Sequence, residues 1–331
     1  MRGRLLSTLL AAGFGLAGCG DADRVGTGEP VRVRVRAGAS FAEVTDSLHA
    51  KALVARPQLF RGYARVTGKA TQVKPGTYEF HQDAGWRHVL DVLVAGDVLT
   101  TKLTIPEGMR LGDIVDRVAG VAGVPADSLL AAMDDTLAAQ RFRVPGPTLE
   151  GYLYPATYTL PVDTHPDSIV AELVQTYQRV WTEERRARAR AIGLSERQVV
   201  TLASIIEEEA VDPDEMAVIS AVYHNRLRIG MALQADPTVQ YALGNHRERL
   251  LYADIERVRD HPYNTYARPG LPPGPIASAS ERAIDAALHP ADVPWLYFVA
   301  QSDGTHVFSR TLAEHNRARA RIRRERRART S

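Results

Sequence analysis

The sequence has a single cysteine among its 331 residues, which excludes an intrachain disulfide. It also lacks an HExxH segment and any paired histidine and aspartate spacing typical of a metal site, so we expect neither a metal nor a cofactor. The formal net charge is only +2, which gives the whole chain no marked electrostatic preference. The apolar fraction of 45% at this length predicts a globular protein of two or three domains with a sizeable core.

Apolar runs long enough to span a bilayer are missing as well. The run of 14 residues that begins at Leu5 follows two arginines and is shorter than the roughly 20 residues that a span needs. It ends in the sequence LAGC, which resembles the lipobox of bacterial lipoproteins. We therefore predict a signal peptide over 1–18, lipid attachment at Cys19 and a polar tether over 19–30. An uncleaved N-terminal anchor is the alternative, and either would place the protein at the membrane, on the periplasmic side of the cell envelope.

The rest of the chain predicts an α+β fold with a small N-terminal unit and a larger second domain. Residues 31–98 form the small unit, 99–147 a second strand-helix unit with a connector, and 148–316 the larger α+β domain. Alternation of apolar and polar residues predicts strands, and apolar spacing of three to four predicts helices. The predicted strands are 31–38, 74–80, 295–300 and 306–309, and the main predicted helices are 57–68, 86–96, 166–192, 195–210, 213–229 and 280–288.

The basic tail, 317–331, carries eight arginines against one glutamate. Such a segment is typical either of a solvated helical extension or of a site for anionic lipid or nucleic acid. No aromatic residue lies between the arginines, and the predicted export signal places the chain away from nucleic acid.

Three consecutive glutamates end an apolar helix in the segment TLASIIEEEA (201–210). Ser195 and Gln198 predict a capping box at the start of this helix. Helical spacing puts Glu208 over Thr201 and Ser204 on a polar face, whereas Glu207 and Glu209 both border the apolar stripe. A carboxyl against apolar neighbours has a raised pKa and can donate a proton at neutral pH. Periodicity does not choose between the two, and a solvated helix end is the alternative.

Four further segments are rich in the polar, glycine and proline residues that line clefts: LEGYLYPATY (149–158), a stretch at 223–243, YNTYARPGLPPGPI (263–276) and a stretch at 297–316. Each candidate ligand-binding residue in them also has a structural interpretation: a turn cap, a core tyrosine, a helix cap or a rigid proline turn. The candidates are Glu150, Tyr158, Asn225, Gln234, Asp236, Asn264 and Tyr266.

These segments, in this order and spacing, resemble the endolytic murein transglycosylases of the MltG (YceG-like) type over 148–316. The small unit is similar to the LysM-like region of that family. The resemblance implies cleavage of the β-1,4 bond between N-acetylmuramic acid and N-acetylglucosamine in peptidoglycan strands. The muramyl 6-hydroxyl would attack its own anomeric carbon and leave a 1,6-anhydro end, so one carboxyl suffices. The family motif implies that Glu207 is that carboxyl, and peptidoglycan synthases are implied as partners.

The sequence departs from the family at two places. Ser278, Ala279 and Ser280 stand where the family usually has an Asn-Pro-Gly-like turn, and a lipid on Cys19 would replace the usual transmembrane helix. Two other functions stay open. One is a lysozyme-like hydrolase with a second carboxylate at about 5–9.5 Å, for which Glu150 or Asp236 could serve. The other is a non-enzymatic envelope lipoprotein that binds peptidoglycan.

Overall fold

The computed structural model describes residues 22–133, 136–245, 247 and 250–330. Helices and short strands are mixed throughout, which confirms the predicted α+β class. The described chain divides into two compact units, one containing the residues up to Thr101 together with Pro161–Asp163, the other the remainder. None of the helices in these described ranges is long and apolar enough to cross a membrane. The predicted signal peptide and Cys19 lie outside the described residues.

The first unit packs a two-stranded antiparallel sheet against helices. Val33 of the first strand faces Tyr78 of the second, and both are fully buried, as the alternating sequence predicts. Ser40 and Glu43 form a complete capping box at the first helix. The elements are β1 (Pro30–Val35), α1 (Phe41–Ala50), α2 (Pro57–Val66), a 3-10 turn (Lys69–Thr71), β2 (Gly76–His81) and α3 (Trp86–Ala95), followed by β3 (Thr100–Thr104).

The second unit is mainly helical and also contains two short sheets of two strands each. β3 pairs with β4, and β5 with β6 form an antiparallel hairpin. The elements are α4 (Leu111–Ala122), α5 (Ala126–Met133), α6 (Thr136–Arg141), β4 (Thr157–Pro161), α7 (Pro166–Val180), α8 (Glu183–Ala191), α9 (Glu196–Glu209), a 3-10 turn (Pro213–Glu215), α10 (Met216–Arg228), α11 (Asp236–Leu243), α12 (Tyr252–Arg257), α13 (Glu281–Leu288), β5 (Tyr297–Ala300), β6 (His306–Ser309) and α14 (Leu312–Thr330).

Helix α9 is the centre of the second unit. The predicted capping box is present at its start, where Ser195 accepts from the backbone of Gln198. Every side chain from Val199 to Ile206 is buried, because α8, α10, α11 and α13 pack around the helix. The polar face predicted from Thr201 and Ser204 is therefore wrong. Their hydroxyls are satisfied inside the fold by backbone carbonyls, which removes the cost of burying them.

The strand-helix segment after β3 belongs to the core of the second unit. Leu103, Val118 and Leu129 lie in the same apolar cluster as Leu202 of α9. The predicted helix over 166–192 is two helices. Thr182 separates them and caps α8 by accepting from a backbone N–H. β4 and α12 were not predicted, because both lie in segments dense in turn-forming residues.

Candidate active site

The three glutamates at the end of α9 point to different parts of the second unit. Successive helical residues are about 100° apart, so three neighbours cannot share one environment. Glu207 contacts the start of α13, Glu208 is exposed beside Gly108, and Glu209 lies against α10. The end of this buried helix thus presents three carboxyls with three sets of neighbours.

Glu207 is half-buried and is bound to the N-terminus of α13. Its Oε2 accepts a hydrogen bond of 2.8 Å from the backbone N–H of Ser280, the residue that also caps α13. Burial raises the pKa of Glu207, the bonds from Ser280 oppose that rise, and the nearby charge of Glu107 adds to it. A helix N-terminus favours an anion, so this contact limits the rise, but burial prevails and the pKa of Glu207 stays above its ordinary value.

Glu209 is half-buried and lies beside a buried tyrosine. The hydroxyl of Tyr223 donates to its Oε1 at 2.9 Å. Burial raises the pKa of Glu209 to about 8, and the negative charge of Asp236 contributes, while Tyr223 and the cation of Arg226 lower it. A carboxyl with such a pKa is largely protonated at neutral pH and can donate that proton.

The neighbours of Glu209 come from α10, from the start of α11 and from the loop that carries Tyr266. Arg226 is buried and donates to the carbonyl oxygens of Leu296 and Leu233. The hydroxyl of Tyr266 donates to Oδ1 of Asp236. The charge of Glu209 in turn acts on Tyr266 and helps burial to raise its pKa. The structure therefore brings Asp236 and Tyr266, two of the predicted site residues, to Glu209.

Gln234 precedes this pair in an unusual backbone conformation. Its φ is 49°, in the left-handed region that side chains rarely adopt, and its backbone N–H donates to the carbonyl of Thr265 at 3.1 Å. Ala235 next to it donates to the hydroxyl of Thr265 at 3.0 Å. These two bonds hold the strained turn in place and leave the side chain of Gln234 exposed beside Asp236.

A cavity of about 520 Å³ lies on the Glu208 side of the same helix end. Gly108, Arg110 and Tyr241 line it together with Glu208. Beneath it Glu150 is buried and its Oε1 accepts from the backbone N–H of Leu111, the first residue of α4. Burial raises the pKa of Glu150 to about 8, against the opposing effects of Leu111, Arg110 and Tyr241.

A second cavity of about 530 Å³ lies at the other end of α9, against Tyr177, Arg186 and Glu196. Because Glu196 is the first residue of α9 and the glutamate triplet is the last, this cavity is separate from the carboxyls described above.

Three predicted site residues serve the fold. Tyr158 is 5% exposed and its hydroxyl donates to the carbonyl of Tyr154, so its ring offers no open face to a sugar. Asn264 is fully buried and uses its side chain on four backbone groups, as donor to Ile255 and Val258 and as acceptor from two N–H groups. Asn225 donates to the carbonyls of Val293 and Trp295, which fixes the chain that leads into β5. The amide groups of these asparagines are already used.

Four residues that the sequence reasoning did not select lie at the site: Tyr223, Arg226, Arg110 and Tyr241. Tyr223 lies on α10 and Glu209 on α9, so the periodicity of either helix alone does not reveal their contact. Within the described ranges, no group of three or more histidine, cysteine, aspartate or glutamate side chains could hold a metal ion.

An α+β protein in which burial raises the pKa of two carboxyls at the end of a buried helix belongs to the class of candidate acid catalysts. The sequence matches the YceG-like family over residues 33–321, and the chain belongs to that family. It is 33% identical over 306 residues to the endolytic murein transglycosylase of Bacillus subtilis strain 168, covering 87% of this chain and 84% of that protein.

Two further relatives agree with this placement. The endolytic murein transglycosylase of Streptococcus pneumoniae strain D39 is 28% identical over 318 residues, and the match covers 87% of this chain but only 57% of that protein. The crystal structure of a putative YceG-like protein from Listeria monocytogenes superposes with a TM-score of 0.60 at 34% identity, covering 87% of this chain and 98% of that one.

Proposed function

We propose that this protein is an endolytic murein transglycosylase that cleaves the glycan strands of peptidoglycan. The observation that carries the proposal is the position of Glu209 at the end of α9, bonded to Tyr223 and close to Asp236 and Tyr266, where burial raises its pKa to about 8. Relatives that carry this activity in their names match most of the chain. The proton donor that glycoside cleavage requires is thus available at neutral pH.

In this mechanism Glu209 acts twice. Its carboxyl first protonates the oxygen that leaves the anomeric carbon of N-acetylmuramic acid. The 6-hydroxyl of the same sugar then attacks that carbon and gives its proton to the Glu209 carboxylate, which restores the acid and leaves a 1,6-anhydro end. No water enters the products, so no second catalytic carboxylate is required, in contrast to most glycosidases. The hydroxyl of Tyr223 holds the carboxyl in one orientation throughout.

Our proposal assigns this role to Glu209 instead of Glu207, the residue that the sequence motif favoured. Both carboxyls have a raised pKa, but Glu207 accepts a hydrogen bond from the backbone N–H of Ser280, the N-cap of α13, which opposes the rise. Glu207 then serves as a positioning residue that ties the end of α9 to α13. At Glu209 burial outweighs the opposing effects of Tyr223 and Arg226, and with the charge of Asp236 it raises the pKa to about 8.

The polar residues around Glu209 would bind the substrate. The exposed amide of Gln234 offers both a donor and an acceptor, which suits an N-acetyl group. Asp236 and Tyr266 offer an acceptor and a hydroxyl to sugar hydroxyls. The cavity of about 520 Å³ beside Glu208 falls within the usual size of small-ligand sites and would take the neighbouring part of the strand.

The remaining parts of the chain would hold the enzyme at its substrate. In our proposal the unit over 31–98 is a LysM-like module that contacts glycan, and a lipid on Cys19 anchors the protein to a membrane of the cell envelope. Peptidoglycan synthases would be partners, since they produce the strands that this activity cuts.

Digestion of purified peptidoglycan, with the products identified by mass, tests the proposal. We expect muropeptides that end in 1,6-anhydro-N-acetylmuramic acid. Reducing ends instead would indicate a lysozyme-like hydrolase, for which Asp236 beside Glu209 would be the second carboxylate. No cleavage by the folded protein would favour a non-enzymatic peptidoglycan-binding role.

A further inference from the structure

The last helix, α14, has a composition unlike the rest of the second unit. Between 317 and 327 it carries seven arginines and one glutamate. At about 1.5 Å per residue this charge is distributed along roughly 15 Å of helix. These arginines take no part in the proposed cleavage reaction.

One face of α14 is fixed to the β5–β6 hairpin. Ile322 is 5% exposed, and the ring of His315 stacks on Tyr297 with centroids 5.4 Å apart. Arg326 donates to the carbonyl oxygens of Ala300 at 3.1 Å and Gln301 at 3.3 Å. These contacts fix the rotation of the helix about its axis and so determine which side chains lie on the face opposite the hairpin.

That opposite face presents exposed arginines. Helical geometry places Arg317, Arg321 and Arg324 about 100–160° around the axis on one side of Ile322, and Arg323 about 100° around it on the other side. Arg321 lies 3.7 Å from Glu325, but in the described part of the chain Arg317, Arg323 and Arg324 form no ion pair. Arginines four residues apart repel each other, which disfavours the isolated helix. An anionic surface would relieve this repulsion.

We propose that the arginine face of α14, defined by Arg317, Arg321, Arg323 and Arg324, binds the headgroups of an anionic lipid bilayer. Guanidinium groups recognise phosphate through paired hydrogen bonds. The large apolar residue of this stretch, Ile322, is buried, so the helix would lie on the headgroups without inserting. This contact goes beyond the proposed cleavage activity, because it would hold the catalytic unit at a membrane surface.

Flotation of the full chain with lipid vesicles tests this surface. One set of vesicles contains phosphatidylcholine alone, the other a mixture with phosphatidylglycerol, and binding to the first set measures any contribution of the N-terminal apolar segment. The test variant replaces Arg317, Arg321, Arg323 and Arg324 with glutamine, which keeps helix propensity. The matched control replaces four exposed arginines of the first unit with glutamine: Arg34, Arg36, Arg56 and Arg65.

We expect the wild type and the control variant to bind the anionic vesicles more tightly than the neutral ones, and increasing salt to weaken that binding. The α14 variant should lose about a thousandfold in affinity for the anionic vesicles, with unchanged circular dichroism and unchanged cleavage of soluble glycan. Equal losses in both variants, or no loss in the α14 variant, would overturn the proposal. Tighter binding of the wild type to double-stranded DNA than to the anionic vesicles at the same salt would also overturn it, since nucleic acid would then be the preferred partner.

Discussion

The hydrogen bond between Tyr223 and Glu209 allows a quantitative test through the pH dependence of cleavage. Its length is 2.9 Å, and it lowers the pKa of Glu209 from the higher value that burial alone would give. The alkaline limb of kcat/KM reports loss of the proton from the acid in the free enzyme. For the wild type we expect that limb near pH 8, the region of the Glu209 pKa.

Replacing Tyr223 with phenylalanine removes the bond and keeps the ring. A hydrogen bond to a charged group contributes about 1.5–3 kcal/mol. At about 1.4 kcal/mol per pH unit, its loss should move the alkaline limb upward by roughly 1–2 pH units. The assay is the initial rate of release of anhydro-muropeptides at low substrate concentration over a series of pH values.

Tyr177→Phe is the matched control for this experiment. The hydroxyl of Tyr177 is equally buried and donates to a carboxylate, Oε1 of Glu196 at 2.6 Å, but at the opposite end of α9. This variant should have a similar loss of stability and an unmoved pH profile. If the limb of Tyr223→Phe stays in place or moves to lower pH, Glu209 is not the acid and the assignment fails.

Three further predictions concern stability. Burial raises the pKa of Glu150 and of Glu209 to about 8, so the folded protein keeps protons that these two carboxyls release in the unfolded chain above their ordinary pKa of 4.5. Tm should therefore fall as pH rises from about 5 to 8. The double variant Glu150→Gln with Glu209→Gln should show a flatter dependence of Tm on pH. Asn264→Ala should cost roughly 2–4 kcal/mol in denaturant unfolding, because four buried backbone groups lose their partner. Gly151→Ala should lower the free energy of unfolding by about 2–4 kcal/mol, because its φ is +77° and a Cβ would lie 2.4 Å from Pro275. Gly193→Ala is the control: its φ is +74° but the space around it is open, so the loss should be only about 1 kcal/mol. Equal losses in the two variants would contradict the packing argument.

Local signals predicted much of the fold. The Ser195 capping box, the alternation that makes β1 and the neighbouring strands predicted over 295–300 and 306–309 all depend on residues close together in sequence, and all are present in the structure. The polar face assigned to Thr201 and Ser204 failed for the opposite reason. Helices distant in sequence surround α9, and nothing in the local pattern reports them.

The choice among the three glutamates could not be made from periodicity. Glu207 and Glu209 border the same apolar stripe, and their difference comes from Ser280 and Tyr223, which reach them through tertiary packing. Asn264 shows the same limit. Its amide looks available in the sequence, but the short helix α12, which was not predicted, supplies the carbonyls that use it.

The most direct test of the central claim compares Glu209→Gln with Glu207→Gln on purified peptidoglycan, with anhydro-muropeptides measured by mass. Glutamine at either position keeps the size of the side chain, and at 207 it can still accept the hydrogen bond from Ser280. We predict that Glu209→Gln lowers release by about 10²–10⁴-fold in a protein that remains folded, and that Glu207→Gln keeps most of its activity. Cleavage at the wild-type rate by Glu209→Gln, with loss of cleavage in Glu207→Gln, would contradict the account.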